Sequence, residues 1–572
     1  MPDIAHMIVS ALGDLGVRQV WGVVGDALNP ITDAIRDDDR LEWIGVRHEE
    51  AAAFAAGAQA QISGTLGVCM GTVGPGSLHL INGMYDAKKS HAPMLAICGQ
   101  VPSENMGTDF FQEVDNDAVF ADVAVYRATV SSPAQMPYLL EQAVNSALAL
   151  SGVAILTIPG DIGAMDAPEG TPRFAPRHAG SIADADDIAD AVKILDEASS
   201  VAMLVGHGAR NARADVLRLA DRLAAPMVLT LKAKDGFEGD NPFQIGQSGL
   251  IGNPAAHLAL HQADALLLVG TDFPYRDWLP HDKLVVQIDT RAEHIGRRVS
   301  VSVGVVGDAG DAVARLVERV APKTSRSFLD HHRTEFELWH AAQQRLADPA
   351  HDSTLVGRVR KHLDNPDELI RPEVVAAAVD ETAADDAVFT SDTGMSTVWL
   401  SRFVTIRDRR RLVGSFNLGS MANAMPQALG IQALDRNRQV IAFCGDGGLM
   451  MLLGDLRTAV TYSLPVTFVV FDNQRLGMVK LEQEQTGMAE FGTELDNPDI
   501  AAVAQAMGLY AQRVTRPGDV AEAVRTALAH PGPALLDMMT NPDEVSVPAR
   551  PTAGQAWGFA IAKLTETLSS RT

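Results

Sequence analysis

Three doubly wound α/β domains, each a parallel sheet covered by helices on both faces, are the architecture this sequence predicts. Short apolar, β-rich runs alternate with longer helical stretches along the chain, and the alternation falls into three blocks separated by Pro-, Gly- or charge-rich segments. At 572 residues the chain has room for about three or four compact units, each with its own core.

The first block spans residues 1–165, with strand candidates "QVWGVV", "LEWIGV", "LGVCMGT", "MLAICG" and "VAILTI". A stretch rich in Pro and Gly, "PGDIGAMDAPEGTPRFAPRHAG", follows and reads as a linker. The second block, 185–322, carries "VAMLVG", "PMVLTL", "ALLLVG" and "LVVQID". After it, Phe328, Phe336 and Trp339 recur at a helix-compatible spacing, which predicts a connecting helix packed on a neighbour. The third block, 370–547, contains "AVFTSD", "RLVGSF", "QVIAFCGDGG", "PVTFVVFDN" and "PALLDMM", and residues 548–572 form a tail.

Composition narrows the function. Hydrophobic residues at 47% and charged residues at 21% describe a globular protein, and a net charge of -25 argues against nucleic acid, whose phosphates need Lys and Arg. Cys69, Cys98 and Cys444 each sit inside an apolar run without metal-knuckle spacing, so buried free thiols in a reducing compartment are expected. The first residues read as an amphipathic helix rather than a signal peptide, and no run reaches the roughly 18 apolar residues of a membrane span. A cytoplasmic protein is expected, with at most peripheral contact at the inner face of the membrane.

In open parallel sheets, ligands gather outside the carboxyl ends of the strands. Asp446 falls at such an end, in "IAFCGDGG", and the following strand candidate ends in Asp472 and Asn473. One crossover therefore brings two polar strand ends together. Alone, "GDGG" reads as a tight turn in which Asp446 caps a helix. Paired with "DN", it reads as a site for a small hard cation. Asp446 would give a carboxylate oxygen, Asn473 an amide oxygen and Arg475 a backbone carbonyl, while Gly447 and Gly448 let backbone N–H groups approach an anion.

With this pairing the chain resembles the thiamine diphosphate-dependent enzymes, whose motif is GDG followed some two dozen residues on by Asn. The resemblance implies that Asp446 anchors the magnesium ion holding the cofactor's diphosphate. It matches "WIGVRHEEAAAFAAGA" to the segment whose glutamate hydrogen-bonds the aminopyrimidine, and so gives that role to Glu49, leaving Glu50 as an ordinary helix-start acid. It also gives Gly419, Ser420 and Met421 to the thiamine-contacting loop, with Met421 as the apolar prop. In this family the two halves of the site come from different subunits, which implies a homodimer or a dimer of dimers.

For the middle block, Gly206 and Gly208 in "VGHGARNA" are two of the three glycines of a dinucleotide turn. Within the family, "SGLIGNP" (Gly249, Leu250, Ile251, Gly252) and "GTDFPYRDW" (Gly270, Thr271, Asp272, Phe273, Pro274, Tyr275, Arg276) resemble FAD-contacting segments of the bacterial pyruvate dehydrogenases that reduce quinone. Asp289 and Thr290 in "QIDT", and Asp308 in "VVGDAG", extend that likeness, the two acids being placed for ribose hydroxyls or adenine.

The likeness implies oxidative decarboxylation of pyruvate to acetate, with electrons passed through FAD to a membrane quinone. It also carries Phe111, Gln112 and Glu113 to the substrate-side segment reaching across the dimer, and Glu482 and Met478 to the reacting carbon. Met478 stands where those relatives have Phe, and Leu418 where they have His. Trp557, Ile561, Leu564 and Leu568 could form an apolar helical face on the tail, although Lys563 and Arg571 are the only cations of its stretch "AWGFAIAKLTETLSSRT". Two alternatives share the pattern: an oxygen-dependent oxidase forming acetyl phosphate and peroxide, and an acetolactate synthase with a structural flavin. Against the latter, "SGVAILTIPGDIG" lacks the Arg-Pro-Gly-Pro-Val stretch of those synthases, and Phe110 fills a position often smaller there.

Overall fold

The computed structural model describes residues 3–170, 172–174, 181–351, 365 and 368–544. It contains three six-stranded sheets. The first is built from β1 (Gln19–Gly22), β2 (Glu42–Gly45), β3 (Gly67–Gly71), β4 (Met94–Gln100), β5 (Ala124–Thr129) and β6 (Val153–Pro159), in the order β2-β1-β3-β4-β6-β5. The second comprises β7 (Val201–Val205), β8 (Met227–Leu229), β9 (Gln244–Gln247), β10 (Ala265–Val269), β11 (Leu284–Asp289) and β12 (Val303–Val306), in the order β12-β11-β10-β7-β8-β9. The third comprises β13 (Val388–Ser391), β14 (Arg411–Gly414), β15 (Val440–Gly445), β16 (Thr467–Asp472), β17 (Tyr510–Val514) and β18 (Ala534–Met539), in the order β14-β13-β15-β16-β18-β17. Every pairing is parallel, so each strand needs a crossover that covers a face of its sheet.

Counted from its own first strand, the first sheet has the same order as the third, while the middle sheet reads 3-2-1-4-5-6, the doubly wound dinucleotide-binding order. The strands outside the named apolar runs, β5, β9, β12 and β17, are all edges. Central strands such as β4 and β16 are buried along their whole length, whereas no residue of β5 is fully buried. An edge strand has a neighbour on one side only, so it need not carry a continuous apolar run.

The first and third domains share one core. The Ala-rich helix Glu49–Ser63, buried from Ala51 through Ala60, packs against the helix Ala424–Leu434. A Cβ on Gly430 would fall 2.3 Å from the Ala55 carbonyl oxygen, so small residues are what let these two backbones approach. Polar contacts fix the register: Gly45 N–H donates to Tyr462 Oη at 2.7 Å and Arg47 N–H to Asp455 Oδ1 at 2.8 Å.

The middle domain is fastened to the third through buried charge, with Arg411 Nε 2.9 Å from Asp235 and Ile406 N–H donating to Glu238 at 2.7 Å. The aromatic segment after it forms the helix Ser327–Gln344, and the guanidinium of Arg402 lies 5.8 Å from the Trp339 ring centre. Among the described residues no helix is long and apolar enough to cross a membrane. The tail residues Trp557, Ile561, Leu564 and Leu568 lie outside the described residues.

Candidate active site

A cavity of about 700 Å³ opens at the carboxyl ends of the middle-domain strands. That volume suits a cofactor. Its floor is the switch point between β7 and β10, where the strand order reverses. Gly206 N–H donates to the Val269 carbonyl at 2.9 Å and Gly208 N–H to the Gly270 carbonyl at 3.0 Å. A Cβ on Gly206 would lie 2.1 Å from the Gly270 oxygen, so only glycine permits this crossing of turns. Leu250, Ile251, Thr271, Asp272, Phe273, Pro274, Tyr275, Asp289 and Thr290 line the cavity. Burial raises the Asp289 carboxyl above its ordinary pKa; one of its oxygens accepts from Arg291 N–H at 2.9 Å and lies 3.6 Å from His294 Nδ1.

Four expected contacts do not line it. Gly249 turns at φ +97° behind Phe273 and Tyr275, and Gly252 folds back onto the Gln247 carbonyl. Arg276 opens an exposed turn. Asp308 caps the helix Ala309–Arg319, accepting from Gly310 N–H at 2.8 Å and Asp311 N–H at 3.3 Å.

The cavity's far wall belongs to the third domain, where Thr393, Gly394, Gly419, Met478 and Glu482 join the lining. Beyond it lies the Asp446 turn. Asp446 follows β15, is 2% exposed, and accepts a 2.8 Å bond from Asn497 Nδ2. Burial and the neighbouring Asp472 carboxylate push its pKa up to about 7, since two adjacent acids in a desolvated site resist double ionisation. Asp472 Oδ2 is buried without a hydrogen-bond partner. Asn473 Oδ1 accepts from Arg475 N–H at 3.1 Å, and the loop beyond is pinned by Leu476 N–H to the Thr493 carbonyl at 2.8 Å.

The loop bearing Gly419, Ser420 and Met421 presses on this turn. A Cβ on Gly447 would stand 3.5 Å from Met421 Cε, and one on Gly448 only 2.5 Å from Asp392 Oδ2. Gly419 takes φ +80°, and Ser420 N–H donates to Ser415 Oγ at 3.1 Å.

Glu49 heads its helix in the first domain, 7% exposed, and its Oε2 lies 2.9 Å from His79 Nδ1. The His79 ring stacks on His48 at 4.4 Å, and His48 Nδ1 accepts from Glu50 N–H. Gly76 packs beside Glu49 Oε1, and the adjoining Gly74 lies under Gln112. Gln112 adopts φ +68°, and the neighbouring Phe111 is 78% exposed. Glu49 and Gln112 thus gather at one end of the first domain. The hydrogen bonds to Glu49 and to Asp446 come from separate domains.

Residues 2–119 match the N-terminal TPP binding domain of thiamine pyrophosphate enzymes, residues 188–316 their central domain, and residues 392–538 their C-terminal TPP binding domain. A Bacillus subtilis protein named only for thiamine pyrophosphate content is 36% identical over 548 residues, covering 95% of this chain and 92% of its own. The chain belongs to the thiamine pyrophosphate enzyme family. Other relatives of this thiamine pyrophosphate enzyme carry two activities in their names. Pyruvate oxidase of Lactiplantibacillus plantarum is 30% identical across 94% of this chain and 88% of its own. The acetolactate synthase large subunit of Corynebacterium glutamicum is 29% identical across 94% and 87%.

The donor set of this thiamine pyrophosphate enzyme fits a magnesium diphosphate. Asp446, Asn473 and the Arg475 carbonyl offer only hard oxygen ligands, and a side chain at Gly447 or Gly448 would fill the cradle. The middle cavity fits a flavin dinucleotide through its Gly206–Gly270 cradle and through Gln247 Nε2 and Ser248 Oγ, two buried polar atoms on its wall without a protein partner.

Two residues escape the sequence pattern. His79 lies in "GSLHLING" and has no carboxylate near it in sequence. Asp392 follows β13 at the third sheet's switch point and could have been found from strand ends alone. It accepts from Ala424 N–H at 2.8 Å and Gly445 N–H at 3.2 Å, and burial pushes its pKa up to about 7.

Proposed function

We propose that this enzyme oxidatively decarboxylates pyruvate to acetate and carbon dioxide, passing electrons through FAD to a quinone. The observation that carries the reading is one continuous cavity, in which Met478 and Glu482 of the diphosphate-binding domain share walls with Phe273 and Tyr275 of the dinucleotide domain. Such a cavity suits a flavin that exchanges electrons at the thiamine site, beyond the structural role it has in a synthase. When bound, thiamine diphosphate supplies a nucleophilic carbon for the keto group and FAD a two-electron acceptor.

The chain's own residues do the rest. Glu49, kept from water and oriented by His79, would hold the proton at the aminopyrimidine nitrogen. Asp446, Asn473 and the Arg475 carbonyl would hold Mg2+, with N–H groups of Gly447 and Gly448 on the diphosphate. Met421 would prop the cofactor from below. Glu482 and Met478 would meet the substrate from one chain, and Phe111 and Gln112 from its neighbour. The working unit is then a homodimer, itself doubled in a tetramer, in which each site would take Glu49 from one chain and Asp446 from the other, as the family resemblance implies. A quinone acceptor implies a cytoplasmic enzyme that visits the inner membrane face.

The test is spectroscopic. The purified protein should be yellow, and pyruvate with thiamine diphosphate and Mg2+ should bleach it in the absence of air and yield acetate. Reoxidation faster by a soluble quinone than by air supports quinone over oxygen. Acetolactate formed without bleaching would instead support the synthase reading, which the relatives of that name favour.

A further inference from the structure

Lys232 occupies an unusual position. It follows β8, in the turn Leu231–Ala233, and lines the middle-domain cavity. Its carbonyl lies 3.4 Å from His207 Nδ1, which sets it against the Gly206–Gly208 turn at the switch point of the sheet. The other cations of the wall are engaged: Arg411 pairs with Asp235 at 2.9 Å, and Arg291 donates to the Leu150 carbonyl at 2.6 Å. Among the described residues, Lys232 Nζ makes neither a hydrogen bond nor an ion pair. Two carboxylates stand near it without pairing. Asp86 accepts from Gln427 Nε2 at 2.9 Å through one oxygen and keeps the other buried without a hydrogen-bond partner, and Asp272 pairs with Arg298 at 3.2 Å.

An enclosed ammonium with no direct ion pair is costly, and its natural complement is an anion delivered by a ligand. Burial pushes the Lys232 amine down to about 8, as expected for a cation without a direct partner. In a sheet of this order the first turn after the first strand receives the pyrophosphate of a dinucleotide, and here that turn is Gly206–Gly208.

We propose that Lys232 is the cation that receives the pyrophosphate of the dinucleotide bound in this cavity. The assignment rests on the flavin reading above and adds to it the chain's charge-neutralising residue. A charge-assisted bond to phosphate lost from an enclosed site weakens binding by about 10- to 100-fold.

The experiment titrates flavin-free wild type, Lys232→Met and Lys232→Arg with FAD and with riboflavin, which lacks phosphate, at low and high salt. Lys232→Met should bind FAD about 10- to 100-fold more weakly, with a flatter salt dependence and unchanged riboflavin affinity. Lys232→Arg should stay within a few-fold of wild type, and equal melting temperatures of the flavin-free proteins should show an intact fold. FAD bound equally by wild type and Lys232→Met overturns the assignment, as does a riboflavin affinity that falls in step with FAD. A wild type that takes up no FAD overturns the flavin reading itself, and Lys232 with it.

Discussion

His79 Nδ1 lies 2.9 Å from Glu49 Oε2, and the histidine ring is held in place by stacking on His48. The acid expected to activate thiamine therefore has a fixed orientation before any cofactor binds. Glu49→Gln keeps the shape of the side chain and removes its proton chemistry, so deuterium exchange at the thiazolium carbon should slow by about 10²- to 10⁴-fold, with the fold intact. His79→Asn removes only the orienting bond and should cost about 10-fold or less. Equal losses for the two variants would show that His79 handles the proton itself.

Asp446 should be the residue on which cofactor retention turns. Asp446→Asn leaves a neutral amide where the cation needs charge, and Mg2+-dependent binding of thiamine diphosphate, followed by circular dichroism, should weaken by at least about 100-fold. Chelation of wild type should give the same loss and added Mg2+ should restore it. Unchanged binding in the variant would remove Asp446 from the site.

The joint between the first and third domains depends on one missing side chain. Gly430→Val would drive a branched side chain into the Ala55 carbonyl, 2.3 Å from where its Cβ must stand. A destabilisation of about 1–3 kcal/mol should follow in chemical denaturation, with Gly430→Ala nearer the lower end. A neutral effect would mean that the two helices separate freely.

Acid sensitivity should trace in part to His332. It is fully buried against Phe328, both ring nitrogens lack partners, and burial pushes its pKa down to about 4 from 6.5. A base with a depressed folded pKa contributes stability above its unfolded pKa, and that contribution is lost as pH falls from about 6.5 towards 4. His332→Leu should therefore flatten the fall in stability across this window by up to about 3 kcal/mol, measured by urea unfolding at a series of pH values. An unchanged pH profile would refute it.

Much of the fold was legible because central parallel strands are buried on both faces and announce themselves as apolar runs. β15 and β16 end where "IAFCGDGG" and "VVFDN" end them, which is why Asp446 and Asn473 could be paired in advance. The edges β5, β9, β12 and β17 were missing from the apolar runs for the converse reason. Asp308 reads like Asp289 in sequence, each following a strand. What separates them is that a helix begins directly after Asp308 and uses its carboxylate as a cap.

By itself, the sequence determined the architecture, the neighbouring strand ends that carry Asp446 and Asn473, and the acid at the head of an Ala-rich helix. Each of these follows from local periodicity or from the chemistry of a short motif. Only tertiary structure decided that Gly206 and Gly270 meet, that Met478 and Glu482 close a cavity floored by another domain, that His79 orients Glu49, and that Lys232 stands unpaired. Those relationships join residues far apart in the chain through packing, and no local pattern encodes which strand ends will face one another.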